Sequence, residues 1–179
     1  MRSRALRAVL ALLVLAGFQL LAAPGASASP YCGITWGSQP RAAGNGTPAG
    51  SYSNVRIGQH DCYDRVVVDV SAPVTSWSVR YIDGAAAYAP GGAQLEVAAA
   101  TRVGVTHTWM FHRPLLVVPE SYRTLRSVSA GQGGGDVTSV WVGVRARLPF
   151  RAFVLQGPGS GSRLVVDVAH QWCTTGTTC

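Results

Sequence analysis

The stretch "WVGVRARLPFR" (Trp141–Arg151) gathers the residue types suited to gripping an anionic, ring-shaped ligand. If it runs as a strand, side chains alternate between faces. Trp141, Gly143, Arg145 and Arg147 then point one way, and Arg151 follows just past the Pro149 break. An aromatic plate beside guanidinium forks suits a sugar ring carrying a carboxylate, or a peptide carboxylate. The competing arrangement packs Trp141 into the core and leaves the arginines to cover a rim. A second cluster, "TWMF", either exposes Trp109 and Phe111 on a loop as a contact surface or, as a strand, sends both inward.

Catalytic chemistry finds little footing. His107 and His112 stand five residues apart, outside the H-E-x-x-H helix pattern of zinc hydrolases. No G-x-S-x-G nucleophile elbow occurs downstream of the leader, and "GPGSGS" reads as a turn. Four cysteines, Cys32, Cys62, Cys173 and Cys179, form an even set with three possible connectivities. Their spacings match no zinc module. The favoured pairing is Cys32–Cys62, tying an N-terminal arm to the first strand, with Cys173–Cys179 closing a short C-terminal loop. No free thiol, metal, cofactor or catalytic residue is then expected.

The leader places these groups outside the cytoplasm. Arg2, Arg4 and Arg7 precede the apolar run "AVLALLVLAGFQLLAA" and the small-residue motif Ala26-Ser27-Ala28, the order of a secretory signal peptide over residues 1–28. The run falls short of the ~20 residues of a spanning helix, and no later segment is long and apolar enough to cross a bilayer. Export also favours disulfides. The chain has no lysine, a bias most simply explained by a G+C-rich genome; without the three leader arginines, 12 arginines face 8 acidic residues, a net charge of +4. A mildly basic exported protein is drawn to anionic polymers. Nucleic acid is a poor partner for a protein with this address and no RNA-binding aromatic signature.

What remains, about 150 residues, is enough for one domain that buries roughly 68–70% of its unfolded surface. Residues 29–50 read as an extended, turn-rich arm. After it come short β-type runs: "SNVRIGQ", "DRVVVDVS", "TSWSVRYID", "AQLEVAAA", "TSVWVGVRARL", "FRAFVL" and "SRLVVDVA", punctuated by Gly, Pro and Asp. This predicts an all-β sandwich or barrel, with a short helix or turn over Pro119–Val128. Trp36, Trp77 and Trp172 are expected to pack. Two of the runs repeat one motif. Val66, Val68 and Val70 share a face opposite Arg65 and Asp69; Leu164, Val166 and Val168 share one opposite Arg163 and Asp167. Arg and Asp on one strand are ~13 Å apart and cannot pair. If the strands are antiparallel neighbours, Arg65 can face Asp167 while Asp69 faces Arg163.

The segments "HDCYDRVVVDV", "VRYID", "GVRARLPFRAFVL" and "RLVVDVAH" together resemble the AMIN-like domain of secreted bacterial proteins and lipoproteins, over about Ser51–Trp172. That family is related to the AMIN domain of cell-wall amidases, whose catalytic zinc module is separate. The resemblance implies a small β-sandwich of two sheets, a binding or localising role without catalysis, and peptidoglycan or another cell-wall polymer as partner. Trp141, Arg145, Arg147, Arg151 and Trp109 would be its contact residues. The chain departs from the family where an acidic stretch commonly precedes "GVRARLPF": it reads "GQGGGDVTSVW", with Asp136 the only acid. The rival is a secreted module that binds or inhibits a protein of the envelope or beyond through the loop 106–116. Residues 51–172 would form the domain and 173–179 the disulfide loop.

Overall fold

The computed structural model describes residues 30–83, 92–102, 115–116, 118–132 and 136–172. Within them lie ten strands: β1 (Arg41–Gly44), β2 (Tyr52–Gln59), β3 (Tyr63–Val70), β4 (Ser76–Ile82), β5 (Ala93–Ala100), β6 (Leu115–Leu116), β7 (Leu125–Gln132), β8 (Val137–Val144), β9 (Phe150–Gln156) and β10 (Ser162–Ala169). They form two antiparallel sheets, ordered β1-β4-β5-β8-β7-β6 and β2-β3-β10-β9. The seven runs read from sequence are β2, β3, β4, β5, β8, β9 and β10.

Alternation builds the core. On β3, burial switches at every residue, and Val66, Val68 and Val70 turn inward against Leu164, Val166 and Val168 of β10. Val79, Leu95, Val97, Val128, Val140, Val142 and Val144 of the larger sheet close on them, with Phe150 among the largest buried side chains. β-branched residues fit a pleated, two-sided environment, and each large apolar side chain so buried contributes roughly 1.5–3 kcal/mol.

The arm carries one short strand. Its Arg41–Gly44 pairs with β4, and Gly37 exchanges two backbone hydrogen bonds with Phe150 at the edge of the smaller sheet. Of the helix or turn expected over Pro119–Val128, the turn is present: Tyr122 N–H donates to the Pro119 carbonyl at 3.1 Å, and from Leu125 the segment continues as β7. That strand escaped notice because "LRSVSAGQ" has small polar residues where alternation should show. Trp172 does not pack, being 51% exposed, although its indole N–H donates to the Arg147 carbonyl at 2.8 Å. Trp36 is buried, and Trp77 packs against the core.

The crossover between sheets matters most for the site. β8 ends at Val144, and Arg145–Pro149 carries the chain to β9 on the other sheet. Tyr81 clamps this passage: its hydroxyl donates to the Leu148 carbonyl at 2.5 Å and accepts from the Leu148 N–H at 2.9 Å. Burial pushes that hydroxyl up to about 12, against the opposing pull of the Leu148 backbone and the nearby Arg147 charge.

Candidate functional site

β3 and β10 are antiparallel neighbours, with Arg65 opposite Asp167 and Asp69 opposite Arg163. β9 sets Arg151 against Asp167, and β2 sets Gly58 against Arg65. Because the alternate residues of these strands fill the core, this row lies across the outer surface of the four-stranded sheet. The next row reads Arg56, Val67, Val165 and Phe153.

Asp167 is the hub. It has no exposed surface, yet it accepts three N–H groups: Arg65 Nε at 2.6 Å, Arg65 Nη2 at 3.0 Å and Arg151 Nε at 2.7 Å. Its hydrogen bonds, outweighing burial, hold the Arg65 guanidinium above its ordinary range. Two cations share one anion, so the row carries a net charge of +1.

Aromatic rings complete the arrangement. Arg151 Cζ lies 5.6 Å from the Trp36 ring, 5.4 Å from Tyr63 and 5.2 Å from Phe153. Arg65 Cζ lies 5.3 Å from Tyr63 and 5.8 Å from Phe153, and its Nη2 also donates to the Tyr63 hydroxyl at 3.2 Å. Ring quadrupoles attract such cations by about 0.5–2 kcal/mol each. The exposed His60 ring stacks on Tyr63, 4.4 Å between centroids. Trp36 comes from the arm, held by the Cys32–Cys62 disulfide, the Gly37–Phe150 bridge and an indole bond to the Tyr31 carbonyl of 2.9 Å. Arg65 and Arg151 keep 24% and 33% of their side chains exposed. Among the described residues, Nη1 and Nη2 of Arg151 donate to no partner.

The other half of the repeated motif behaves differently. Asp69 takes a bidentate bond from Arg56, both contacts 2.7 Å, in preference to Arg163 across from it. The bond with Asp69, more than any other influence, raises Arg56 above its ordinary range. Arg163 instead donates Nη2 to the Gln156 carbonyl at 3.1 Å. These residues, with Ser53 and the Gly157–Gly161 turn, line an open cleft of ≈ 710 Å³ at the far end of the same sheet.

The constellation expected from "WVGVRARLPFR" is split by the crossover. Trp141 is half-buried on the outer side of the six-stranded sheet, opposite Glu96 and Ser129. Arg145, exposed on the passage, donates Nη2 to the His170 carbonyl. Arg147 lies 4.9 Å above the Tyr81 ring and reaches the exposed Asp83 at 3.3 Å. Only Arg151 belongs to the basic, aromatic face. Trp109, Cys173, Cys179 and most of the loop 106–116 lie outside the described residues.

Sequence reasoning missed a buried pair. Asp64 sits at a core-facing position of β3 and receives Thr124 N–H at 2.6 Å and Leu125 N–H at 3.0 Å on Oδ2. Its Oδ1 lies 3.1 Å from His170 Nε2, while His170 Nδ1 is 3.1 Å from the Asp61 carbonyl. An acid at an inward register of an alternating strand was the signal. The pair is sealed from solvent and ties β3, β7 and the end of β10 together, which makes it architectural. Among the described residues no three His, Cys, Asp or Glu side chains converge as metal ligands, and no helix is long and apolar enough to cross a membrane.

A disulfide-tethered sandwich with a basic, ring-covered outer face defines a class, that of extracytoplasmic β-modules. The model of the AMIN-like domain matches residues 50–170, and the chain belongs to this family. Its members are non-catalytic modules with a general role at the cell wall. No curated protein matches the chain.

Proposed function

We infer that this protein is a secreted, non-catalytic module that binds peptidoglycan through the outer face of its four-stranded sheet, with the leader 1–28 removed on export. The observation that carries this reading is the Arg65–Asp167–Arg151 row, partly exposed and flanked by Tyr63, Phe153 and His60. Polyanionic glycan with carboxylate substituents offers both partners this face needs, a negative group for the guanidinium edge and a ring face for the aromatics. The module requires no metal or cofactor for this. Arg145, Arg147 and Trp141 serve the scaffold in this reading, and Arg151 serves the ligand.

Co-sedimentation with purified sacculi tests it. The exported protein pellets, pelleting persists at moderate salt, and Arg151→Gln reduces it strongly. Pelleting that disappears at ~0.15 M salt reduces the interaction to charge attraction, because exposed charges are screened beyond ~8 Å there. No pelleting at all overturns the reading.

A further inference from the structure

We propose that the edge of Arg151 is a carboxylate clamp, and that the face selects a hexosamine bearing a free carboxylate over the same sugar without one. This rests on the wall-binding reading above and on the placement of one guanidinium. Its Nε is committed to the buried Asp167 at 2.7 Å, which fixes the plane of the group. Rings of Trp36, Tyr63 and Phe153 lie within 5.2–5.6 Å of its carbon. The two Nη groups are left without a partner among the described residues, on a side chain that remains 33% exposed.

An arginine in solution must give up rotamer freedom to bind an oxyanion. This one is already ordered by a charged hydrogen bond and by stacking, so its fork is presented at little further entropic cost. The paired Nη hydrogens match the two oxygens of a carboxylate in the bidentate geometry. Charge selects the same ligand. Arg65 and Arg151 together carry two positive charges, Asp167 cancels one, and the remaining +1 balances a monoanion. Phe153, next to Asp167 on the neighbouring row, is half-buried and offers apolar surface for the ring that carries the group. A free carboxylate on a wall sugar appears when an amide at that position has been hydrolysed, so a reaction of the amide-hydrolysing class would create the ligand.

N-acetylmuramic acid and N-acetylglucosamine share a ring and differ in the 3-O-lactyl ether with its carboxylate, and the methyl ester of the former keeps that ether's bulk without its charge. Titration of the exported, disulfide-bonded protein with the three, followed by calorimetry and by amide shifts, reads the selection directly. Binding of the acid about tenfold or more tighter than of the other two supports the clamp. That preference should vanish in Arg151→Gln and in Arg151→Lys, the latter keeping the charge and losing the fork. Arg80→Gln, on the opposite sheet, removes the same charge and should keep it. Thermal melts establish that the variants fold; if Arg151→Gln does not, Arg151→Lys decides. Equal binding of acid and ester, retention in Arg151→Lys, or no binding of any sugar overturns the proposal. The two readings fail separately: sacculus pelleting without carboxylate preference removes the clamp alone, and carboxylate preference without pelleting removes the wall.

Discussion

Replacing Asp167 by Asn tests how the outer face is built. The side chain is fully buried and accepts three N–H groups from two arginines. Asparagine preserves shape and removes the charge, and its amide nitrogen meets guanidinium donors that it cannot accept. Breaking a fully buried ion pair by removing one partner costs about 3–5 kcal/mol. Here both arginines retain some solvent, at 24% and 33% exposure, so water recovers part of that, and about 2–3 kcal/mol is expected. For a domain of about 150 residues this lowers Tm by about 4–12 °C. The internal control is Asp69→Asn, whose partner Arg56 is half in water, 52% exposed; about 0–1 kcal/mol is expected there. Urea denaturation of both variants gives the comparison. Two chemically identical substitutions on one repeated motif should therefore differ severalfold. If Asp167→Asn costs no more than Asp69→Asn, Asp167 is not the desolvated hub argued above, and the preorganisation of Arg151 loses its basis.

Two further outcomes follow from the same geometry. Tyr81→Phe leaves both Leu148 backbone groups without their partner and should cost about 1–3 kcal/mol in urea. Its pH signature has a defined sign. Folding raises the hydroxyl from 10.0 to about 12, so the native state holds its proton longer than the unfolded chain. That contribution is complete below pH 10.0 and is lost as pH climbs toward about 12; the variant should lack this alkaline decline, and an unchanged decline would contradict the assignment. Replacing Cys32 and Cys62 by Ser opens a bond across a sequence separation of 30. Chain entropy predicts about 3–4 kcal/mol of lost stability. Because the bridge delivers Trp36 to Arg151, carboxylate binding should weaken as well, at temperatures where the variant is still folded by circular dichroism.

Much of the fold was legible because local rules and tertiary demands agreed. Wherever a strand had a strict apolar alternation, as in β3 and β10, both its existence and its inward face could be read, since one face must leave water. The pairing of Arg65 with Asp167 was also within reach, because a repeated Arg-x-x-x-Asp strand can satisfy its charges only across an antiparallel neighbour. Legibility failed where that pattern was weak. β7 lines its outward positions with Ser and Gly, and β1 is a four-residue exposed strip, "RAAG", whose only claim to be a strand is the edge of β4 waiting for it. The site failed for a related reason. Period two joins Trp141 to Arg147 only while the strand continues, and β8 stops at Val144.

By itself, the sequence determined an all-β chain, a family, and the inward face of its most regular strands, because these follow from composition and from motifs and repeats no longer than a few residues. The tertiary structure decided where each arginine goes. Arg145, Arg147 and Arg151 are equivalent as residue types and nearly adjacent in the chain. The crossover at Arg145–Pro149 sends the first to a backbone carbonyl, the second over Tyr81, and the third onto a different sheet. There a carboxylate sixteen residues further along holds Arg151, and a ring more than a hundred residues earlier lies against it. A guanidinium's chemistry is local, but the groups that orient it and desolvate it arrive through long-range pairing.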